Sequence, residues 1–312
     1  SHRARCHAAL GQCDESIQDF DEAVAEYAQI LAPGSLLNIR QIQAFAETLV
    51  GRAEQRVFQG SLRLAQQDLF QAQEQIELLK NSDSDWRILS VRALELQATA
   101  ERTEGLHGDA IYRCNEALSV LQDLLDSGRL DVRDRAAQLL TLRGQLWTSL
   151  GEPDKAVADL THSLAQLSRL IDFEGHPGLK KQRAQTYLLR ARHLQDRDRE
   201  AEAQLDFEKA IDDYNSERLS GQLGRRELYE LAQAYVSLAT LLQKVGEEKR
   251  AADRFSSAIQ CFEQEPRWLP NLCEALRLRA RSFRRLGNIE LSLTDSSQAI
   301  EKLGTCIEHQ PD

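Results

Sequence analysis

Helix-breaking residues are scarce in this chain, which has 16 glycines and 6 prolines in 312 residues. That scarcity, beside an abundance of Ala, Leu, Gln, Glu and Arg, leaves little room for a turn-dense β architecture and favours helix. No apolar run is long enough to span a bilayer, so the sequence predicts no membrane association. Six cysteines stand at 6, 13, 114, 261, 273 and 306, with no CxxC and no paired Cys/His spacing. This excludes a zinc ribbon or a disulfide framework and makes them small apolar filler on helices. Basic residues are in deficit, 39 Lys and Arg against 49 Asp and Glu, for a formal charge of −10. An acidic chain argues against nucleic acid, which is held by an excess of Lys and Arg, although local basic patches remain open. Phosphate loops, GxGxxG, HExxH and nucleophile elbows are all missing, so the chain reads as a non-enzyme with no cofactor and no metal. Methionine is absent, for which the sequence offers no physical reason.

What the chain does have is a repeat. Turn residues recur at Gly11, Gly60, Gly105, Gly151, Asp198, Gly246 and Gly287, at spacings of 41 to 49 residues. Seven residues before each turn stands a small residue: Ala4, Ala53, Ala98, Gly144, Ala191, Ala239 and Ala280. Small residues also stand five after it (Ser16, Ala65, Ala110, Ala156, Ala203, Ala251, Ser292) and twelve after it (Ala23, Ala72, Ala117, Ser163, Ala210, Ala258, Ala299). Between those two positions the residue is usually bulky: Phe20, Leu69, Cys114, Leu160, Phe207, Phe255 and Ser296. Small against large at fixed offsets is how two helices interlock, and self-similarity at this period is the mark of a solenoid whose units bury their apolar faces against neighbours.

The pattern resembles the tetratricopeptide repeat family over essentially the whole chain. The family's signature is a bulky residue, Leu-Gly and an aromatic on one helix, then Ala, a bulky residue and Ala on the next. The segments Leu140 to Leu164 and Tyr235 to Ile259 carry it most clearly. The departures are a longer period than the family's roughly 34 residues and the loss of Gly at Asp198. The resemblance implies an all-α, right-handed superhelical solenoid of antiparallel helix hairpins. The expected layout is a single array over 1–312, with a partial first repeat at 1–35 and then 36–80, 81–127, 128–174, 175–218, 219–264 and 265–312. The extra length is assigned to longer helices and to loops such as Ala32-Pro33-Gly34-Ser35, Gly175 to Gly178 and Glu265 to Pro270.

A charge pattern goes beyond that signature. Eight residues before the turn stand Arg3, Arg52, Arg143, Arg190 and Arg279, and eight after it stand Asp19, Asp68, Asp159, Asp206 and Asp295, in the same five units. The other two units lose both together, with Gln97 and Arg113 in one and Leu238 and Arg254 in the other. Concerted loss predicts contact across each hairpin, as a planar guanidinium and a carboxylate make in a bidentate pair. Pairing with the Arg of the following unit fits less well, since Gln97 follows Asp68. The row reads as a set of structural ion pairs, with a ligand-binding row as the alternative.

In such solenoids the first helix of each hairpin lines a concave surface. Its exposed positions, by the resemblance, carry nine basic and five acidic residues, opposite in sign to the whole molecule. Most of the excess is in the last unit, where Arg277, Arg281, Arg284 and Arg285 share one helical face. The expected contact set is Arg192, Gln195, Thr240, Gln243, Lys244, Arg277, Arg281, Arg284 and Arg285. Solvent or acids across the groove could offset the four arginines; an acidic or phosphorylated segment of another protein could too, and RNA is the remaining alternative. The Lys/Asn/Arg clamp with which some family members hold chaperone tails is not present. The leading expectation is a protein-interaction scaffold binding a peptide or helix of a partner, with an acidic segment at the basic C-terminal end. The alternative is a structural or oligomerisation module, self-associating through its repeat ends, or a regulatory domain of a larger protein. The short run before Gly11 reads as a truncated first hairpin, and with no leader or anchor visible the expected location is cytoplasmic.

Overall fold

The computed structural model describes residues 2–30, 38–80 and 85–308, with side chains as far as residue 304. The loop expected at Ala32 to Ser35, the repeat boundary at residues 81–84 and the side chain of Cys306 fall outside that range. Every extended element among the described residues is helical. In chain order they are α1 (His2–Ala9), α2 (Cys13–Ile30), α3 (Ile39–Phe58), α4 (Leu62–Leu79), α5 (Trp86–Thr103), α6 (His107–Asp126) and α7 (Arg133–Ser149). There follow α8 (Pro153–Asp172), α9 (Lys180–Gln195), α10 (Glu200–Leu219), α11 (Arg225–Lys244), α12 (Glu248–Phe262), α13 (Leu269–Arg285) and α14 (Ile289–Glu308). The chain divides into two compact units, Ser1–Asp159 and Leu160–Asp312, with the division inside α8.

Odd- and even-numbered helices form the hairpins, and each hairpin turn is built the same way. At Gly151 (φ 72°), Gly151 N–H donates to the Thr148 carbonyl at 3.0 Å and Glu152 N–H to the Trp147 carbonyl at 2.9 Å. This pair of bonds satisfies the last carbonyls of α7 and needs a left-handed residue at the crossing point, where glycine carries no Cβ penalty. Asp198 makes the same two bonds, to Gln195 and through Arg199 N–H to Leu194, at φ 56°. An aspartate tolerates that conformation better than most side chains but at a cost.

Within a hairpin the small positions are where the helices meet. Ala53, Ala65, Leu69 and Ala72 are fully buried in one unit, and Ala239, Ala251, Phe255 and Ala258 in another. The core is continuous across neighbours rather than closed within each hairpin. In the first unit Leu49, Ala53, Ala65, Leu69 and Ala72 of α3 and α4 pack in one cluster with Leu89 and Ala93 of α5. Leu94, Ala98, Cys114, Ala117 and Leu121 form the next, with Leu139 and Leu146 of α7. At Gly51 the approach is close enough that a Cβ would lie 2.8 Å from the Phe20 ring of α2.

Replacing Asp198 by glycine should therefore raise stability by about 0.5–1 kcal/mol, while Gly151→Ala should lower it by about 1–2 kcal/mol. Thermal melts of the two variants test this. Shifts in the same direction would show that the left-handed turn does not limit both sites.

Candidate functional site

The arginines eight residues before the turn sit on the odd-numbered helices and face the aspartates of the following helix. Arg52 donates Nε and Nη2 to the two oxygens of Asp68, at 3.1 and 2.6 Å. Arg143 does the same to Asp159 (2.7 and 2.7 Å), Arg190 to Asp206 (2.7 and 2.7 Å) and Arg279 to Asp295 (2.8 and 2.7 Å). Arg3 reaches Asp19 through Nε at 2.7 Å and Glu22 through Nη2 at 3.0 Å. The aspartates are buried in all five. A buried carboxylate needs such a partner, since an unpaired one would ionise only at a large desolvation cost.

Four of these guanidiniums, all but that of Arg3, have a third arm that the sequence reading missed. Nη1 of Arg52 donates to Asp21 at 2.7 Å, that of Arg143 to Asn115 at 2.6 Å, that of Arg190 to Thr161 at 3.0 Å and that of Arg279 to Ser256 at 2.9 Å. These acceptors lie on the second helix of the preceding hairpin, ten residues after its turn, so one arginine holds three helices. The signal was in the sequence. The residue at that position before the two units that lack the arginine is Phe70 in one case and Glu208 in the other.

Those two units are held differently. Gln97 accepts from the Gln73 amide at 3.0 Å, while Arg113 turns to Glu101 (3.4 Å) and Glu116 (3.2 Å). Leu238 is fully buried, and Glu208 accepts from Arg250 at 3.3 Å instead. Burial pushes the carboxyls of Asp68 and Glu101 up from the ordinary range, against the pull of Arg52 and Arg56 in the first case and of Arg113 in the second. Oε2 of Glu101 is buried with no hydrogen-bond partner.

The odd-numbered helices also touch one another directly, and their contacts define the candidate binding face. In the first unit three of its cations are compensated from within, and Arg102 donates to the Gln145 side chain at 2.7 Å. Arg5 pairs with Glu47 at 2.9 Å, Arg92 with Glu54 at 3.2 Å and Arg135 with Glu95 at 3.2 Å, each across a hairpin boundary. These pairs, with Arg129 between Asp85 and Asp131, surround an open depression of about 490 Å³ floored by Ile88, Leu89 and Val132.

The second unit differs. Lys244 pairs with Glu200 at 3.0 Å, Arg285 with Glu248 at 2.5 Å and Arg277 with Glu274 of its own helix at 2.6 Å. Arg192, Arg281 and Arg284 are exposed and have no carboxylate partner among the described residues. Gln195 and Thr240 are half-buried, the Thr240 hydroxyl donating to the Val236 carbonyl at 2.8 Å. Gln243 corrects the expected contact set. It is buried, and its amide donates to the Leu278 carbonyl at 3.1 Å and the Ser282 hydroxyl at 2.7 Å, fastening α11 to α13 rather than facing outward. Among the described residues no three His, Cys, Asp or Glu side chains are grouped to hold a metal ion, and no helix is long and apolar enough to cross a membrane.

No protein-family model matches the sequence, and no curated protein matches it. Solved structures do. A signal-transduction ATPase with a tetratricopeptide repeat sensor, from Pyrococcus horikoshii, superposes with a TM-score of 0.73 at 12% identity over 98% of this chain and 42% of its own. The apo form of RapI gives 0.58 at 12% identity over 97% of both chains. BtubC from P. vanneervenii gives 0.60 at 17% identity over 80% of this chain and 90% of its own. The chain has the tetratricopeptide-repeat fold.

Two measurements test the ion pairs. Asp159→Ala should cost about 3 kcal/mol, because it strands the Arg143 guanidinium, whereas Asp154→Ala on the exposed start of α8 should cost under about 1 kcal/mol; equal melting temperatures would remove the structural role. Glu101, with a raised carboxyl pKa, favours folding most when protonated, so its contribution is full at acid pH and is lost as pH rises through its folded pKa. Glu101→Gln should thus raise the melting temperature at pH 7 and leave it little changed near pH 4. A gain of equal size at both pH values would refute this.

Proposed function

We propose that the chain is a protein-interaction scaffold that holds an acidic segment of a partner protein against the odd-numbered helices of its second unit. The observation that carries the reading is the state of α13. Arg281 and Arg284, one helical turn apart, are exposed and uncompensated, while Arg277 and Arg285 on the same helix, like Arg5, Arg92, Arg135 and Lys244 on the other odd-numbered helices, each have a carboxylate. Like charges so placed repel, and a carboxylate or phosphate that arrives with a partner relieves the repulsion through charge-assisted bonds. The Arg277–Glu274 and Arg285–Glu248 pairs flank the two and fix the neighbouring side chains, which lowers the ordering cost of binding. Arg192 on α9 extends the basic character along the same set of helices.

The structural neighbours support a scaffold through their fold, which presents a row of parallel helices to a ligand in general. The partner's chemistry rests on the charges alone. An extended peptide or an amphipathic helix with two or more acidic residues fits the helix spacing.

The test is an immobilised peptide library of acidic, neutral and basic segments, probed with the chain and with an Arg281→Glu/Arg284→Glu variant of unchanged helical content. Acidic peptides should bind the parent, weaken with added salt, and lose at least ~10-fold in affinity with the variant. Binding that is equal in the two proteins, or indifferent to peptide charge, would remove this site.

A further inference from the structure

The first unit shows what two arginines one helical turn apart collect. On α3, Arg52 and Arg56 are met by two carboxylates, and each carboxylate bridges both. Asp68 accepts from Nε and Nη2 of Arg52 at 3.1 and 2.6 Å and from Nη1 of Arg56 at 2.7 Å. Asp21 accepts from Nη1 of Arg52 at 2.7 Å and from Nη2 of Arg56 at 3.2 Å. Two positive charges thus share two negative ones, delivered from α2 on one side and α4 on the other. Arg281 and Arg284 of α13 are such a pair without the acids. They are separated by a rise of about 4.5 Å along the helix, and both are exposed with no carboxylate partner among the described residues. The flanking arginines are already held, Arg277 by both oxygens of Glu274 at 2.8 and 2.6 Å and Arg285 by Glu248 at 2.5 Å. Along this face four guanidiniums stand against two carboxylates, which leaves two positive charges unmatched at one place.

We propose, taking Arg281 and Arg284 as the partner site, that the group they receive is a phosphate monoester, so that the partner segment is a phosphorylated one. A phosphorylated side chain brings a charge of about −1.5 to −2 and three acceptor oxygens on one centre. Both guanidiniums can dock on it at once, each through a fork of N–H groups that a lysine lacks. A single carboxylate brings one charge and two oxygens, and one guanidinium edge occupies both, as Arg143 does on Asp159 at 2.7 and 2.7 Å. Two carboxylates of one segment are a poorer match. On an extended chain the side chains of one face are two residues, roughly 6.7 Å, apart, and on α3 it takes two helices to bring a second carboxylate to the pair. The charged side chains set beside the pair are Glu274, Arg277 and Arg285 of α13, Glu248 of α12 and Lys244 of α11, with no histidine among them. Any dependence of binding on pH near neutrality therefore reports the ligand.

The test uses three peptide pools with randomised flanks and a fixed centre of phosphoserine, serine or two consecutive glutamates. Binding to the chain and to Arg281→Glu/Arg284→Glu is followed by fluorescence anisotropy. The phosphoserine pool should bind at least ~10-fold more tightly than the glutamate pool, and the serine pool weakest of the three. Lowering the pH from 7.5 to 6.0 should weaken the phosphoserine pool about twofold, because the second proton of the phosphate binds with a pKa near 6, and should leave the glutamate pool unchanged. Single-stranded oligouridylate, whose diesters carry one charge each, should not compete at equal phosphate concentration. A glutamate pool that binds as tightly as the phosphoserine pool would overturn the phosphate and leave the acidic-segment site standing. Failure of both acidic pools would remove the site itself. Phosphoserine binding that survives in the variant, or that oligouridylate displaces, would also overturn the proposal.

Discussion

A guanidinium held by three helices is the interaction on which four of the repeat junctions depend. Arginine is suited to it by geometry. Its Nε and Nη2 edge matches a carboxylate side-on, which leaves Nη1 free to reach a third group in the same plane. Lysine could satisfy one acceptor well but not three at fixed angles. The buried aspartate is tolerated because the arginine is always there, and the arginine is ordered because both neighbours hold it. The pair therefore specifies how hairpins stack more than it adds to net stability, since a well-packed apolar pair would be at least as stabilising. In one unit the fully buried Leu238 stands in place of the arginine and Arg254 in place of the aspartate, so no buried carboxylate is left there to satisfy.

This arrangement explains why the period can vary without disturbing the fold. The three attachment points lie close to the hairpin turn, eight residues before it, eight after it, and ten after the preceding turn. Loop length at the far end of the hairpin does not enter. The short 3-10 turns at Leu130–Val132, Pro177–Leu179 and Pro266–Trp268, which lead into α7, α9 and α13, can absorb extra residues while the turn-proximal lattice stays in phase.

Much of this was legible in the sequence because it depends on contacts at fixed offsets. The left-handed turns, the small and large positions and the Arg/Asp pairs all repeat, and repetition within one chain substitutes for comparison between chains. What was not legible depends on where a side chain turns at a single place. Counting charges on the face treated Arg277 and Arg285 as free, whereas a glutamate three residues earlier on the same helix takes one and a glutamate of the preceding hairpin takes the other. Gln243 occupies a position that is open in other units, and only the serine at 282, which does not recur, turns it inward. The third arm of the arginines was missed for a different reason: its acceptors are Asp, Asn, Thr and Ser, chemically alike as acceptors but unlike as letters.

The faces of the hairpin are thereby given separate tasks. Apolar stripes and arginine clamps are consumed in stacking, so an internal helix has only its outward edge left for a partner, and on the first unit much of that edge is neutralised by pairs between hairpins. Specific recognition then has to come from the places where the repeat rule is broken. Arg281 and Arg284 break it by lacking acids. A repeat protein can acquire a contact in this way without altering the interaction that holds its units together.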